Sequence, residues 1–209
     1  MLNRFYIFAV FIFAIFYVNA AEAQSPFVSI KLQNGISFEL PRNWKVIDLN
    51  NRTTLDASVA ARNPIDINSA LPFAANLYNS RNQTIGMANV RIYPDMDVYQ
   101  HEVARLSRSE ILDLDNLLEK NVTIGVASSG STVTNWYGTE IIKIENKVYL
   151  LSRYRRRSGI NANNFFRVSL LRLLDGKKSF TLTLSYEEKE EYLLKPILRY
   201  IISSVKIMR

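Results

Sequence analysis

Apolar and polar residues alternate in several short segments of the chain, which is the pattern of strands with one buried face. The first two segments, VSIKLQ and ISFEL, flank Asn34-Gly35, a pair suited to the positive φ angles of a type I′ hairpin turn. PFAANLYN and IGMANVRIYP then form a second pair around a polar loop. Four further segments follow one another through short polar connections: YGTEIIKI, KVYLLSRYRRR, FFRVSLLRLL and SFTLTLSY. The pattern predicts an N-terminal hairpin, a strand pair and an antiparallel meander.

Helical spacing predicts the helices that lie between these strands. TTLDASVAARNP has a helical pattern, and a short helix capped by Asp95 or Asp97 is expected to run through Leu106. A longer helix should begin at the capping box Ser107-x-x-Glu110. Its expected apolar stripe comprises Ile111, Leu114, Leu117 and Leu118.

The C-terminal helix is predicted from a second capping pattern, Ser185-x-x-Glu188, and from an acidic start that suits the helix dipole. Pro196 is expected to kink this helix or to mark a restart. The buried stripe should comprise Leu194, Ile197 or Leu198, Ile201 and Val205. Helices that bury one stripe against a mostly antiparallel sheet form a layered α+β structure. We therefore expect an α/β/α sandwich whose central sheet is covered by helices on both faces.

Residues 1–23 have the features of a secretory signal peptide. MLNR gives a positive start, an uncharged apolar run follows, and Ala21-Glu22-Ala23 offers a small-x-small cleavage site. The alternative is an uncleaved membrane anchor, for which the apolar run is on the short side. Residues 24–209 contain no second apolar segment of that length and no Gly/Ser-rich or Pro-rich linker, so they are expected to form one domain.

The absence of cysteine and the basic charge narrow the location and the partners. Cysteine catalysis, thiolate metal sites and a cysteine-linked lipid anchor are excluded, so a soluble periplasmic protein is expected. The net charge of +7 is unchanged by processing, because Arg4 and Glu22 cancel. A basic exported protein meets anionic lipid headgroups and acidic protein surfaces. Nucleic acid is not an expected partner outside the cytoplasm.

Two long segments resemble the opening and the closing parts of the PsbP-like superfamily: FELPRNWKVI, and GKKSFTLTLSYEEKEEYLLKPILRYIISSVKI. This group includes the PsbP subunit of photosystem II, the Ran-binding Mog proteins and bacterial envelope proteins of the DcrB type. The resemblance extends over residues 27–207 and implies an α/β/α sandwich without enzymatic activity, serving as an accessory or binding protein. The chain lacks the lipoprotein cysteine of DcrB-type relatives. No functional residue is carried over, because the matched motifs build the fold.

Candidate catalytic and metal-binding residues are sparse. His101 is the only histidine, and because transition-metal sites usually recruit more nitrogen or sulfur ligands, a surface histidine without a metal is expected. Ser203-x-x-Lys206 matches a bare Ser-x-x-Lys pattern but lacks the partner motifs of that chemistry. No phosphate loop or dinucleotide fingerprint is present, so no cofactor is predicted. We expect no enzymatic activity.

The segment KVYLLSRYRRR becomes basic toward its end. On a strand, Arg153, Arg155 and Arg157 share one face, and Tyr154 lies on the other. Arg167 on the following strand approaches the same area if the two strands pair. The simplest interpretation is a solvated strand end that resists edge pairing. The functional interpretation is a partner-binding surface of Arg153, Tyr154, Arg155, Arg157 and Arg167 for a carboxylate-rich or phosphate-bearing partner.

Together these observations predict an exported, non-enzymatic accessory or binding protein of the periplasm that docks an envelope protein or an anionic surface. Two alternatives stay open at the level of the sequence. One is an envelope hydrolase whose active site is assembled from distant residues. The other is a peripheral protein that binds anionic lipid through its basic patch.

Overall fold

The computed structural model describes residues 25–32, 35–48, 50–51, 70–93, 96–159, 161–176 and 178–207. The predicted signal peptide and the predicted helix in TTLDASVAARNP lie outside these residues. The strands are β1 (Phe27–Lys31), β2 (Ile36–Pro41), β3 (Lys45–Val46), β4 (Ala70–Tyr78), β5 (Thr84–Tyr93), β6 (Thr132–Ile144), β7 (Lys147–Arg157), β8 (Phe165–Leu173), β9 (Ser179–Glu187) and β10 (Lys206–Ile207). The helices are α1 (Gln100–Val103), α2 (Arg108–Ser128) and α3 (Glu191–Ser203), with a 3-10 turn over Glu188–Glu190.

The N-terminal hairpin forms a three-stranded sheet with the end of the chain. β2 pairs antiparallel with β1 on one side and with β10 on the other. Gly35 has a φ angle of 81°, as the predicted turn requires, while Asn34 lies outside the described residues. The alternate apolar residues of β2, Ile36, Phe38 and Leu40, are buried. The predicted hairpin is confirmed.

The second sheet has seven strands in the order β3-β4-β5-β9-β8-β7-β6, and every neighbouring pair is antiparallel. It contains the predicted meander from β6 to β9, although β6 begins at Thr132, before the predicted start. Gly86 in β5 permits a close approach of the Trp44 ring, because a Cβ atom at Gly86 would lie 3.2 Å from the ring. The buried Trp44 therefore connects the hairpin to the large sheet.

Two apolar clusters flank the central strands. The main core combines alternate residues of the sheet, such as Leu171 and Leu182, with Ile201 of α3. The second cluster contains the intervening residues of β7 and β8, and Val122 and Val126 of α2 pack against it. The α+β class is confirmed. The complete α/β/α sandwich, with helices covering both faces, stays a prediction.

Helix α1 begins later than the sequence predicts. Its first residue, Gln100, uses its side-chain amide to bond both backbone groups of Val148 in β7, at 2.8 Å each. The Glu102 carboxylate accepts the backbone N–H of Tyr99 at 2.8 Å and so closes the helix start. The prediction of a cap at Asp97 is therefore wrong, because the cap is Tyr99, two residues further on. The helix also ends at Val103 rather than at the predicted Leu106. Asp95 lies outside the described residues.

Helix α2 begins at the predicted capping box. Ser107 Oγ accepts the N–H of Glu110 at 3.3 Å, and the Glu110 carboxylate accepts the N–H of Ser107 at 2.7 Å. The predicted stripe is wrong at Leu117, which is 54% exposed, because α2 packs through Val122 and Val126 instead. None of the helices that the structure describes is long and apolar enough to cross a membrane.

Replacing Ser107 with alanine is expected to lower the free energy of unfolding by about 1 kcal/mol, since the first turn of α2 loses its capping acceptor. Urea denaturation at pH 7 measures this change. Asn116→Ala is the matched control, because Asn116 is an exposed residue of the same helix. An equal loss of stability in both variants would contradict the capping role of Ser107.

Helix α3 also begins later than predicted. Ser185 pairs with Met87 of β5 and Val168 of β8, so it belongs to β9 and the prediction that it caps a helix is wrong. Sheet pairing on both sides keeps the chain extended through Glu187, and α3 begins at Glu191. Pro196 lies inside α3 without a restart. The predicted buried residues of the helix are confirmed: Leu194, Leu198 and Ile201.

Candidate functional site

Pairing of β7 with β8 brings the predicted arginines together. Arg155 lies directly opposite Arg167, whereas the sequence predicts only that Arg167 approaches the same area. Arg153 lies opposite Ser169, two positions along the same face. Like charges directly opposite each other are destabilising in a sheet. A counter-charge is therefore required between Arg155 and Arg167.

Glu188, in the turn after β9, supplies this counter-charge. Its Oε2 atom accepts hydrogen bonds from Nε and Nη2 of Arg155 at 2.9 and 2.7 Å. Its Oε1 atom lies 2.7 Å from Nη2 of Arg167. The hydrogen bond from Arg155, followed by the charges of both arginines, holds the pKa of Glu188 below its ordinary value. The triad Arg155–Glu188–Arg167 is thus a preorganised charged unit with one excess positive charge.

Aromatic rings support the same guanidinium groups. The Arg155 guanidinium lies 3.8 Å from the ring centroid of Phe165. That of Arg167 lies 4.9 Å from the ring centroid of Tyr137 and also donates to the Tyr137 hydroxyl. Such cation–π contacts hold the planar groups in place. The sequence interpretation did not include Phe165 and Tyr137, because their positions depend on strand register.

The other predicted residues have different surroundings. Arg153 forms an ion pair with Glu140 at 2.7 Å, in which both side chains are about half exposed. Arg157 is exposed at the last position of β7. Tyr154 is only 6% exposed, and its ring stacks on Trp136 in the second apolar cluster. The Tyr154 ring therefore packs in the second apolar cluster, although the residue also borders the cleft described next.

A cleft of about 420 Å³ lies between the basic ends of β7 and β8 and helix α3. Cations line both walls, with Arg153 and Arg167 on the sheet side and Lys195 and Arg199 on the helix side. The remaining lining residues are Tyr137, Tyr154, Val168, Ser169, Tyr186, Glu191, Leu198 and Ile202. Lys195 and Arg199 are four residues apart in the sequence, a spacing that places both on one side of a helix. This spacing is visible in the sequence and could have identified Lys195 and Arg199, which the predicted partner-binding surface does not include.

The hydrogen-bonding capacity of this cleft is incompletely used. Arg199 forms no ion pair with any described residue, and Nε of Arg167 is buried without a hydrogen-bond partner among the residues that the structure describes. The Tyr186 phenol is protonated at neutral pH, as any tyrosine with an ordinary pKa of 10 is, and burial with a contribution from Glu191 raises its pKa further to about 12. The cleft can therefore donate several hydrogen bonds to anionic oxygen atoms.

The same lining offers little for proton transfer. Glu191 is its one carboxylate and forms an ion pair with Lys195, and histidine is not among the lining residues. General acid–base catalysis needs a titratable group placed against the reacting atoms. These side chains are therefore better suited to binding an anion than to hydrolysis.

His101 is an exposed residue whose ring stacks on that of Tyr99, with the centroids 6.1 Å apart. Within the described ranges, no group of three or more histidine, cysteine, aspartate or glutamate residues is placed to hold a metal ion. The structure thus assigns His101 a contact with an aromatic neighbour.

Comparison with known proteins shows similarity in structure only. No protein-family model matches the chain, and no curated protein matches it. The fold is similar to that of PsbP (CyanoP) from Synechocystis sp. PCC 6803, with a TM-score of 0.54, 13% identity and coverage of 90% of this chain and 96% of that chain. The Ran-binding protein Mog1p from Saccharomyces cerevisiae has a TM-score of 0.44 and 10% identity over 87% of this chain and 95% of that chain, too low to support a conclusion. The predicted PsbP-like fold is confirmed, whereas the likeness to DcrB-type proteins stays a prediction.

Proposed function

We propose that this chain is an exported, non-enzymatic accessory or binding protein of the periplasm, and that it docks a partner through an anionic group held in the cleft. The observation that carries this proposal is the placement of Arg153, Arg167, Lys195 and Arg199 around one cleft with a single lining carboxylate. Electrostatic complementarity of this kind selects partners and accelerates their association. The signal-peptide pattern of residues 1–23 supports export.

The ion pairs around the cleft leave its cations available to a partner. The Arg153–Glu140 pair is about half exposed, and such pairs contribute about 0–1 kcal/mol to stability. Lys195 pairs with Glu191 at an equally accessible position. An incoming anion can therefore displace either carboxylate at small cost. Arg and Tyr are also enriched among the residues that dominate binding energy, and both types line the cleft.

Crosslinking in intact cell envelopes tests the proposal. The double variant Lys195→Glu/Arg199→Glu reverses both charges on the helix side of the cleft, at exposed positions where substitutions usually have small effects on stability. We expect the wild-type protein to capture a partner that this variant loses. Arg157→Glu is the matched control, because Arg157 is exposed on β7 but does not line the cleft, and it should keep the partner. Identical captures by the wild type and the double variant would contradict docking through the cleft.

A further inference from the structure

We infer that the anionic group held in the cleft is a phosphate. This inference rests on the proposed function in one respect, since it names the chemistry that the same cleft recognises. The charge balance, the unused donors and the size of the cleft favour phosphate.

The charge balance favours a doubly charged ligand. The cleft and its ion-paired neighbours contain five cations, namely Arg153, Arg155, Arg167, Lys195 and Arg199. The carboxylates that pair with them are three, namely Glu140, Glu188 and Glu191. Five positive charges less three negative charges leave +2. A phosphate monoester carries about −1.5 to −2 at pH 7, so it neutralises this excess, whereas one carboxylate leaves half of it.

The placement of the donors favours a tetrahedral group over a planar one. Arg167 stands on the sheet wall and Arg199 on the helix wall, so the donors converge from two sides. A carboxylate presents two coplanar oxygens, but a phosphate presents three or four that point in different directions. Arg199 is exposed, lines the cleft and forms no ion pair with a described residue. Its guanidinium can therefore donate to the oxygen atoms of a phosphate in the cleft.

The size of the cleft suits a small phosphate-bearing group. Its volume of about 420 Å³ lies within the range of small-molecule sites and accommodates a headgroup or a small phosphate ester. Next to the cleft, the outer face of α3 exposes Tyr192 (92%) and Leu193 (62%). Aromatic and apolar residues beside basic ones are typical of surfaces that enter the interfacial region of a membrane. A phosphate monoester can therefore reach the cleft from a lipid headgroup such as that of phosphatidic acid or from a soluble ester.

Isothermal titration calorimetry with inorganic phosphate tests the assignment, using protein purified from the cell envelope at constant ionic strength. We expect saturable binding of phosphate, weaker binding of succinate, and a loss of about tenfold or more in phosphate affinity for Arg199→Gln. Arg157→Gln should bind as the wild type does, since Arg157 does not line the cleft. Equal affinities for phosphate and succinate would overturn the inference. An unchanged affinity in Arg199→Gln would do so too.

Sedimentation with vesicles that contain phosphatidic acid, whose headgroup is a phosphate monoester, distinguishes the two sources. Sedimentation that Tyr192→Ser reduces, while calorimetric phosphate binding is retained, identifies the lipid headgroup. Phosphate binding without sedimentation identifies a soluble ester, and sedimentation unaffected by Arg199→Gln counts against the cleft. Loss of the crosslinked partner without any phosphate affinity would leave the proposed docking intact and remove this inference. Phosphate binding, together with a Lys195→Glu/Arg199→Glu variant that still captures the partner, would support this inference and contradict docking through the cleft.

Discussion

We expect the replacement of Ile201 with alanine to lower the free energy of unfolding by about 2–5 kcal/mol, which is the largest of the expected stability effects. Ile201 is fully buried, on the face of α3 that contacts the main core. Alanine removes apolar contact area and leaves a cavity that the surrounding sheet fills only in part. Urea denaturation measures the change, provided that the midpoint shifts while the slope stays constant.

Tyr192→Ala is the matched control for Ile201, because it truncates a large residue on the opposite, solvent-facing side of the same helix. Its expected effect on stability is within about 0.5 kcal/mol. A difference of less than about 1 kcal/mol between the two variants would contradict the packing of α3 against the sheet. Since α3 supplies Lys195 and Arg199, the same packing positions one wall of the cleft.

Glu188→Gln is expected to lower the free energy of unfolding at pH 7 by about 1–3 kcal/mol. The substitution keeps the size of the side chain but removes the charge that separates Arg155 from Arg167, which lie directly opposite each other. All three side chains are only partly exposed, so solvent screens their repulsion incompletely. Glu190→Gln is the control, because Glu190 is in the same turn and forms no ion pair with the described residues.

The stabilising effect of Glu188 should also depend on pH with a definite sign. Its pKa in the folded protein is lowered, mainly by the hydrogen bond from Arg155, so folding favours the ionised carboxylate. The contribution is complete above the ordinary pKa of 4.5 and is lost as the pH falls through the lower folded value. The stability difference between the wild type and Glu188→Gln should therefore shrink below about pH 4.5. A difference that stays constant down to pH 2 would refute the electrostatic role.

The local periodicity of the sequence was sufficient to predict those strands whose partner strands are close in sequence. The alternation around Gly35 predicted the hairpin, and the alternation of β9 placed Phe180, Leu182 and Leu184 in the main core, as the structure confirms. The same reasoning failed at Ser185, where a local capping pattern competes with two strand partners. Hydrogen bonding on both sides of β9 outweighs one side-chain cap, so the strand continues.

The cleft was only half predictable, because its walls are distant in sequence. The arginines of β7 and their approach to Arg167 followed from strand alternation and the pairing of adjacent strands. The role of Glu188 depends on the 3-10 turn that follows β9, and that turn has no sequence signal separate from the helix start. The helix side of the cleft depends on how α3 rotates over the sheet. Only tertiary packing determines that rotation.

The three-stranded sheet imposes an order on folding. Ile36 near one end of the described chain pairs with Ile207 near the other, so the sheet cannot close until the final strand has been synthesised. Contacts between such distant positions slow folding, because a long loop must be ordered before they form. Loss of β10 would therefore leave one edge of β2 without a partner strand. An unpaired strand edge can pair with another chain, so the short strand β10 also protects the protein against association through β2.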